Sequence, residues 1–190
     1  IRMGEIAKCN VQKGMQAILN NNERVLDEIL NNEKVINELE RRIGEFLQEV
    51  MHSAIGDDQQ KMVGMLFNTV HDMERIGDHA DNLREIVQYK LDNKVSFSNY
   101  AMEELREIYK NVEQAMDNAF LALSTKETAY VKAVDTYEKK VDELRDSFRE
   151  SHISRINKGE CNINAGVLFL EILTNLERIS DHCVNVADVV

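Results

Sequence analysis

Between residues 66 and 87 the core-facing positions return every three to four residues. Leu66, Thr69, Met73, Ile76, Ala80, Leu83 and Val87 fall on one face of a helix that turns about 100° per residue, with Gly77 at its edge. Glu74, Asp78, Asp81 and Asn82 fall on the other side. The same period runs through the last stretch, where Phe169, Ile172, Leu176, Ile179, Cys183, Val186 and Val190 align while Glu177, Asp181, Asn185 and Asp188 point away. Tyr137, Val141, Leu144 and Phe148 make a third apolar face, beside a separate stripe of Glu138, Asp142 and Asp146. Breaks in the pattern at Asn20 to Asn22, Gly56 to Asp58, Asn93 to Ser98, Ser124-Thr125 and Asn157 to Gly159 predict helices at 2–20, 22–55, 58–93, 97–123, 126–157 and 161–190. The chain has no proline and only eight glycines, so an all-α fold is expected. Long helices with short connections are how antiparallel bundle neighbours are joined.

The chain repeats itself. Moving Glu74-Arg75-Ile76, Asp78-His79 and Asn82 along by 103 positions lands on Glu177-Arg178-Ile179, Asp181-His182 and Asn185, so E-R-I-x-D-H-x-x-N occurs twice. At an offset of 105, Glu33-Lys34-Val35-Ile36-Asn37-Glu38-Leu39 meets Glu138-Lys139-Lys140-Val141-Asp142-Glu143-Leu144. Two matches at nearly one offset predict a tandem duplication, with three-helix units at 1–95 and 96–190.

Composition narrows the function. With 23 Lys+Arg against 34 Asp+Glu the formal net charge is −11, which argues against a nucleic-acid partner, because phosphate neutralisation needs a clustered basic surface. The most apolar stretch, Ile163 to Leu176, is interrupted by Asn164, Glu171 and Asn175 and falls short of the ~20 residues a membrane span requires. Cys9, Cys161 and Cys183 form no C-x-x-C pair, which fits a reducing, cytosolic setting. The chain opens at Ile1 without Met and stops at Val190 inside an apolar-periodic run, so a piece of a longer protein is expected.

The acids form rows. Like charges one helical turn apart cost a few tenths of a kcal/mol, and a bound cation compensates them. Carboxylates spaced by a turn lie about 5–6 Å apart and suit hard cations such as Mg²⁺, Ca²⁺, Mn²⁺ or iron. Glu138 and Asp142 on one helix can face Glu177 and Asp181 on the next. The other reading is ordinary solvated helix surface. His79 and His182 sit at the border of the polar face as hydrogen-bonded residues or rim ligands, and Asn82 and Asn185 suit interhelical hydrogen bonds. A di-iron oxidase needs paired Glu-x-x-His motifs. Only Glu49 and His52 have that spacing, without a counterpart in the second half, so no catalytic set is identified and a non-enzymatic protein is expected. The eight methionines recur at helical spacing as core filler.

The duplicated E-R-I-x-D-H-x-x-N segment, with the upstream E-x-x-x-D/N-x-L, resembles the PhoU family of phosphate-transport regulators across the whole chain. The resemblance implies two tandem three-helix bundles related by a pseudo-twofold axis. It also implies multinuclear clusters of iron or zinc held by carboxylates: Glu138, Asp142, Glu177 and Asp181 in the second half, Glu74 and Asp78 with Glu33 beside them in the first. Asn37 stands where the second half has Asp142, so the first cluster is expected to be the weaker, with Asp72, opposite Asn175, restoring some charge. Arg2 to Ala7 resembles the juncture after the membrane domain of sodium/phosphate cotransporter-like proteins. That likeness implies a regulatory domain tethered at the inner face of the cell membrane, with a transporter domain of the same or another chain as partner and a homodimer possible. A stand-alone regulator of the same family and a metal-free helical interaction module are the alternatives.

Overall fold

The computed structural model describes residues 1–53 and 55–190, and Ala54, inside the predicted second helix, lies outside the described residues. The order is α1 (Arg2–Asn20), a single 3-10 turn (Glu23–Val25), α2 (Leu26–His52), α3 (Asp57–Asp92), α4 (Asn99–Thr125), α5 (Thr128–Asn157) and α6 (Ile163–Ala187). The fold is an all-α helical bundle, as the breaker-poor sequence predicts. The second helix begins at Leu26 rather than 22, because the Asn22 side chain caps the 3-10 turn first. Elsewhere the ends carry expected punctuation. Ser98 accepts a hydrogen bond from the Ala101 amide, and Asn162 accepts from Asn164 and Ala165, each satisfying helix-start amides that have no partner within the helix.

Helices α1, α2 and α3 pack on one another, as do α4, α5 and α6; the two sets join where α3 lies against α6 and α1 against α4. A single apolar cluster runs through both, from Met3, Ala7 and Val11 on α1 to Phe169, Ile172 and Leu176 on α6. The α1–α4 contact is edged by Lys8 with Asp117 and by Gln12 donating to Glu113 Oε1 at 3.0 Å. α1 ends at Asn21 in the left-handed region, where buried Lys90 donates to the Ile18 carbonyl and the Asn21 side chain. The first of these bonds occupies a carbonyl of the last turn, which the helix itself leaves without a donor.

Most of the predicted core face of α3 is buried, from Thr69 to Val87, but Leu66 is not: it stands 39% exposed. The methionines divide likewise. Met3, Met15, Met73 and Met116 fill the core, whereas Met51, Met62 and Met65 are exposed at the α2–α3 tip. Their helical spacing matches a core face, but no helix among the described residues covers that end of the hairpin.

Candidate metal centre

Two carboxylate faces exist, one between α2 and α3 and one between α5 and α6. On the first, α2 approaches α3 closely at Gly77. A Cβ there would lie 2.9 Å from Ile36 Cδ1 and 3.0 Å from Glu33 Oε2, so the glycine admits the Glu33 carboxylate between the helices. Glu33 is buried, and neither of its oxygens has a hydrogen-bond partner. The Asn37 amide lies near enough to work against protonation but makes no well-aligned bond to either oxygen. Burial, then the charges of Asp78, Asp81 and Glu74, push Glu33 up to about 7. Glu74 is also raised, by burial and then by Asp78 and Glu40, and its Oε2 is unpartnered. It does not face away from the core, as its place on the helical wheel predicts, because α2 covers that side of α3.

Beyond Glu74 the face continues to Glu40 and His71. His71 Nδ1 lies 3.3 Å from Glu40 Oε1 and 3.8 Å from Glu74 Oε2. One donor atom from each of Glu40, His71 and Glu74 falls within 4.8 Å of the others. Two carboxylate oxygens and an imidazole nitrogen suit a borderline divalent ion such as zinc or iron(II), and unpartnered buried carboxylates beside them add charge that such an ion would satisfy. Asp78 stands at the outer edge, paired with Arg75 at 3.0 Å.

The second face is assembled differently. Glu138, Asp142, Glu177 and Asp181 are brought together across α5 and α6, as the charge coupling among them records. Burial first, then Asp142 and Asp181, raises Glu138; burial, then Asp181, raises Glu177; and burial raises Asp181, against the pull of Arg178. But Arg145, at the position of Glu40 in the repeat, enters this cluster. Its Nη1 donates to Glu177 Oε1 at 3.0 Å and its Nη2 lies 3.5 Å from Asp142 Oδ1. Its Nε lies 3.1 Å from Asp146 without hydrogen-bond alignment. Thr174 replaces His71. A guanidinium here supplies the positive charge that an ion would supply opposite.

The remaining motif residues serve neither face. His79 Nδ1 is 2.9 Å from Asn175 Oδ1, to which Asn82 also donates at 3.0 Å. In the same way, His182 Nδ1 is 2.8 Å from Asp72 Oδ1, to which Asn185 donates at 2.9 Å. The two imidazoles sit 5.7 Å apart, centroid to centroid. The His and Asn of the motif therefore form the α3–α6 seam, as expected for hydrogen-bonded boundary residues. Asp72 spends its charge in this seam and adds nothing to the carboxylate face. Glu49 and His52 are exposed near the end of α2. Sequence reasoning passed over Glu40, His71 and Arg145. The signal was present, since Glu40 continues the Glu33, Asn37 stripe by one turn and His71 precedes Glu74 by three residues.

The PhoU domain matches residues 1–87 and 105–190. Among curated proteins, the Thermotoga maritima "Phosphate-specific transport system accessory protein PhoU homolog 1" is 23% identical over 169 residues, covering 88% of this chain and 72% of that protein. The Xylella fastidiosa "Phosphate-specific transport system accessory protein PhoU homolog" is 26% identical over 189 residues, covering 99% and 77%. The crystal structure of PhoU from Pseudomonas aeruginosa superposes with a TM-score of 0.92 at 21% identity, covering 99% of this chain and 90% of that one. The Streptococcus pneumoniae phosphate transport system regulatory protein PhoU gives 0.84 at 18% identity, covering 98% and 87%.

Proposed function

Since this chain belongs to the PhoU family, we propose that it is an accessory regulator of a phosphate transport system and that its α2–α3 face holds a divalent transition metal. The family match over both halves supports the first part, and supports reading 1–95 and 96–190 as two copies of one unit. The names of the curated relatives favour an accessory protein over the tail of a cotransporter. The partner on this reading is a membrane transporter, reached from its cytosolic side; no helix among the described residues is long and apolar enough to cross a membrane. A regulatory role without chemistry of its own fits the exposed, unrepeated Glu49 and His52.

The metal reading is carried by one observation: Glu40, His71 and Glu74 converge within 4.8 Å, while Glu33, whose two oxygens are buried without partners, feels the charge of Glu74. Glu40, His71 and Glu74 would hold the ion, with Glu33 and Asp78 adding charge beside Glu74. On this geometry the first half is the better cation site, although it has Asn37 where the second has Asp142, because Arg145 already neutralises the second. Glu138, Asp142, Glu177 and Asp181 then bind an ion only if Arg145 swings out.

Elemental analysis of the untagged protein after chelation and reloading with zinc or iron(II) tests this. About one equivalent is retained by the wild type and lost in Glu33→Gln/Glu74→Gln. Equal retention by both removes the site. The transport role is tested by expressing the chain in a bacterium deleted for its own phosphate-transport accessory protein. Restored control of phosphate uptake supports it, and unchanged uptake by a soluble, folded chain counts against it.

A further inference from the structure

We propose that Cys161 is a site of oxidation by hydrogen peroxide, its sulfur served by the buried imidazole of His152. Cys161 is half-buried in the connection between α5 and α6. Gly159, at φ 72°, closes α5 by donating to the Ile156 carbonyl, and the Glu160 amide donates to that of Arg155. Asn162 then caps α6, so Cys161 stands on a fixed backbone between two helix ends. Its sulfur lies 3.6 Å from His152 Nε2 and donates to the Asn162 carbonyl at 3.5 Å. Sulfur and imidazole border one cavity of about 240 Å³, together with Ser96, Ser98 and Ala165.

The imidazole is fixed from several sides. It is 1% exposed, and it stacks on Phe169 at 4.4 Å between ring centres. Gly166 leaves room for it, since a Cβ there would lie 3.1 Å from Nε2. Arg155 Nη2 lies 3.1 Å from His152 Nδ1, and Glu104 holds that guanidinium at 2.9 and 2.5 Å. A guanidinium only donates, so Nδ1 accepts and the proton of the neutral ring sits on Nε2. Burial, then the charge of Arg155, pushes His152 below its ordinary value and keeps the ring neutral. Nε2–H has no partner other than the Cys161 sulfur. This reverses the usual nucleophile and base, where a carboxylate on Nδ1 leaves Nε2 free to take a proton. Here the imidazole gives a hydrogen bond to sulfur and takes no proton from it.

The fold does not require these polar groups. At the offset of 105, Leu47 stands for His152, Val50 for Arg155 and Gly56 for Cys161, and at 103 Val63 stands for Gly166. Leu47 and Val63 are buried. The matching helix junction of the first half is thus packed with aliphatic side chains, while the second gathers an imidazole, a guanidinium and a carboxylate beside one sulfur.

The sulfur, its proton given to solvent, attacks one peroxide oxygen. An S–O bond forms as the O–O bond breaks, and the other oxygen leaves as hydroxide and takes a proton from water. The sum is thiol plus hydrogen peroxide to sulfenic acid plus water, with two electrons passing from sulfur to the peroxide. Nε2–H supports the charge on sulfur before the attack and on its new oxygen afterwards. Neither Cys9, on α1, nor buried Cys183 borders the cavity, so the sulfenic acid has no neighbouring thiol to condense with. No residue of the two carboxylate faces takes part, so oxidation here is independent of metal there.

The test is hydrogen peroxide in the presence of dimedone, which traps sulfenic acid, with peptide mass spectrometry to read each cysteine. Cys161 should be labelled at least about fivefold faster than half-buried Cys9. His152→Leu, which installs the first half's residue, should slow Cys161 about fivefold, the size of one hydrogen bond. His152→Gln keeps an N–H donor and should recover most of the rate, as a packing role alone would not. Melting curves show that each variant is folded. Labelling of Cys161 no faster than Cys9 in the wild type overturns the proposal whatever the variants do. A folded His152→Leu that reacts as fast as the wild type overturns it too, and so does a loss that His152→Gln fails to restore.

Discussion

Glu40 and Arg145 lie 105 positions apart, at matching places in the α2–α3 and α5–α6 pairs, and they make opposite surfaces of them. In the first half Glu40 adds a carboxylate to a cluster that already strains to hold its charge, leaving Glu33 and Glu74 without hydrogen bonds. In the second half Arg145 reaches Glu177 and Asp142 from within, and the cluster carries its own counter-ion. The backbone is the same device both times; one side chain decides whether charge balance is left to a ligand. Two helix pairs of like packing can thus present surfaces that differ in charge balance through single side chains.

The largest effect should come from relieving the uncompensated charge. Glu33 titrates near 7 when folded and in the ordinary carboxylate range when unfolded. The folded state therefore binds more protons between roughly pH 4.5 and 7, and stability falls as pH rises through that window. In chelator-treated protein, Glu33→Gln should remove that slope and stabilise by up to about 3 kcal/mol at pH 8 while changing little near pH 4.5. Thermal melts across pH check this, and an unchanged slope would mean that Glu33 does not carry the charge penalty. Glu138→Gln, whose site has a guanidinium, should show a smaller effect.

Next is the cation itself. Zinc or iron(II) at 100 times its dissociation constant should stabilise the wild type by about 2.7 kcal/mol. That gain should vanish in Glu33→Gln/Glu74→Gln and survive in Glu177→Gln/Asp181→Asn, read by calorimetry. Arg145→Glu sharpens the comparison further: giving the second half the first half's residue should raise the bound metal toward two equivalents. A stoichiometry that stays at one would show that charge alone does not make the second face a site.

Packing at the foot of each cluster differs by one atom group. Gly77 corresponds to Ser180, whose buried hydroxyl has no partner. Gly77→Ser should cost about 1–3 kcal/mol, because the new Cβ meets Ile36 and Glu33. Ser180→Ala should be neutral or slightly stabilising, since it removes an unsatisfied polar group. Urea denaturation separates the two. Smallest is the seam: Asp72→Asn makes its two sides alike and should cost about 1 kcal/mol, by replacing a charge-assisted contact to His182 with a neutral one.

The period of apolar positions and the absence of proline carried the helices, their order and most of the buried residues into view, since those depend on local geometry and side-chain type. The repeat carried the pairing of Glu74 with Glu177 and Asp78 with Asp181 for the same reason. What stayed hidden depends on distance across helices. No pattern along the chain tells that Gly77 lets Glu33 sink between α2 and α3, that Glu40 and His71, 31 residues apart, meet at 3.3 Å, or that Arg145 turns inward. Nor could Met62 and Leu66, placed on a core face by their spacing, be known as exposed. Periodicity says which face of a helix is apolar, while burial requires a neighbour to cover it. Charge balance likewise is a property of the assembled surface, because electrostatic coupling follows separation in space and local burial, not order in sequence.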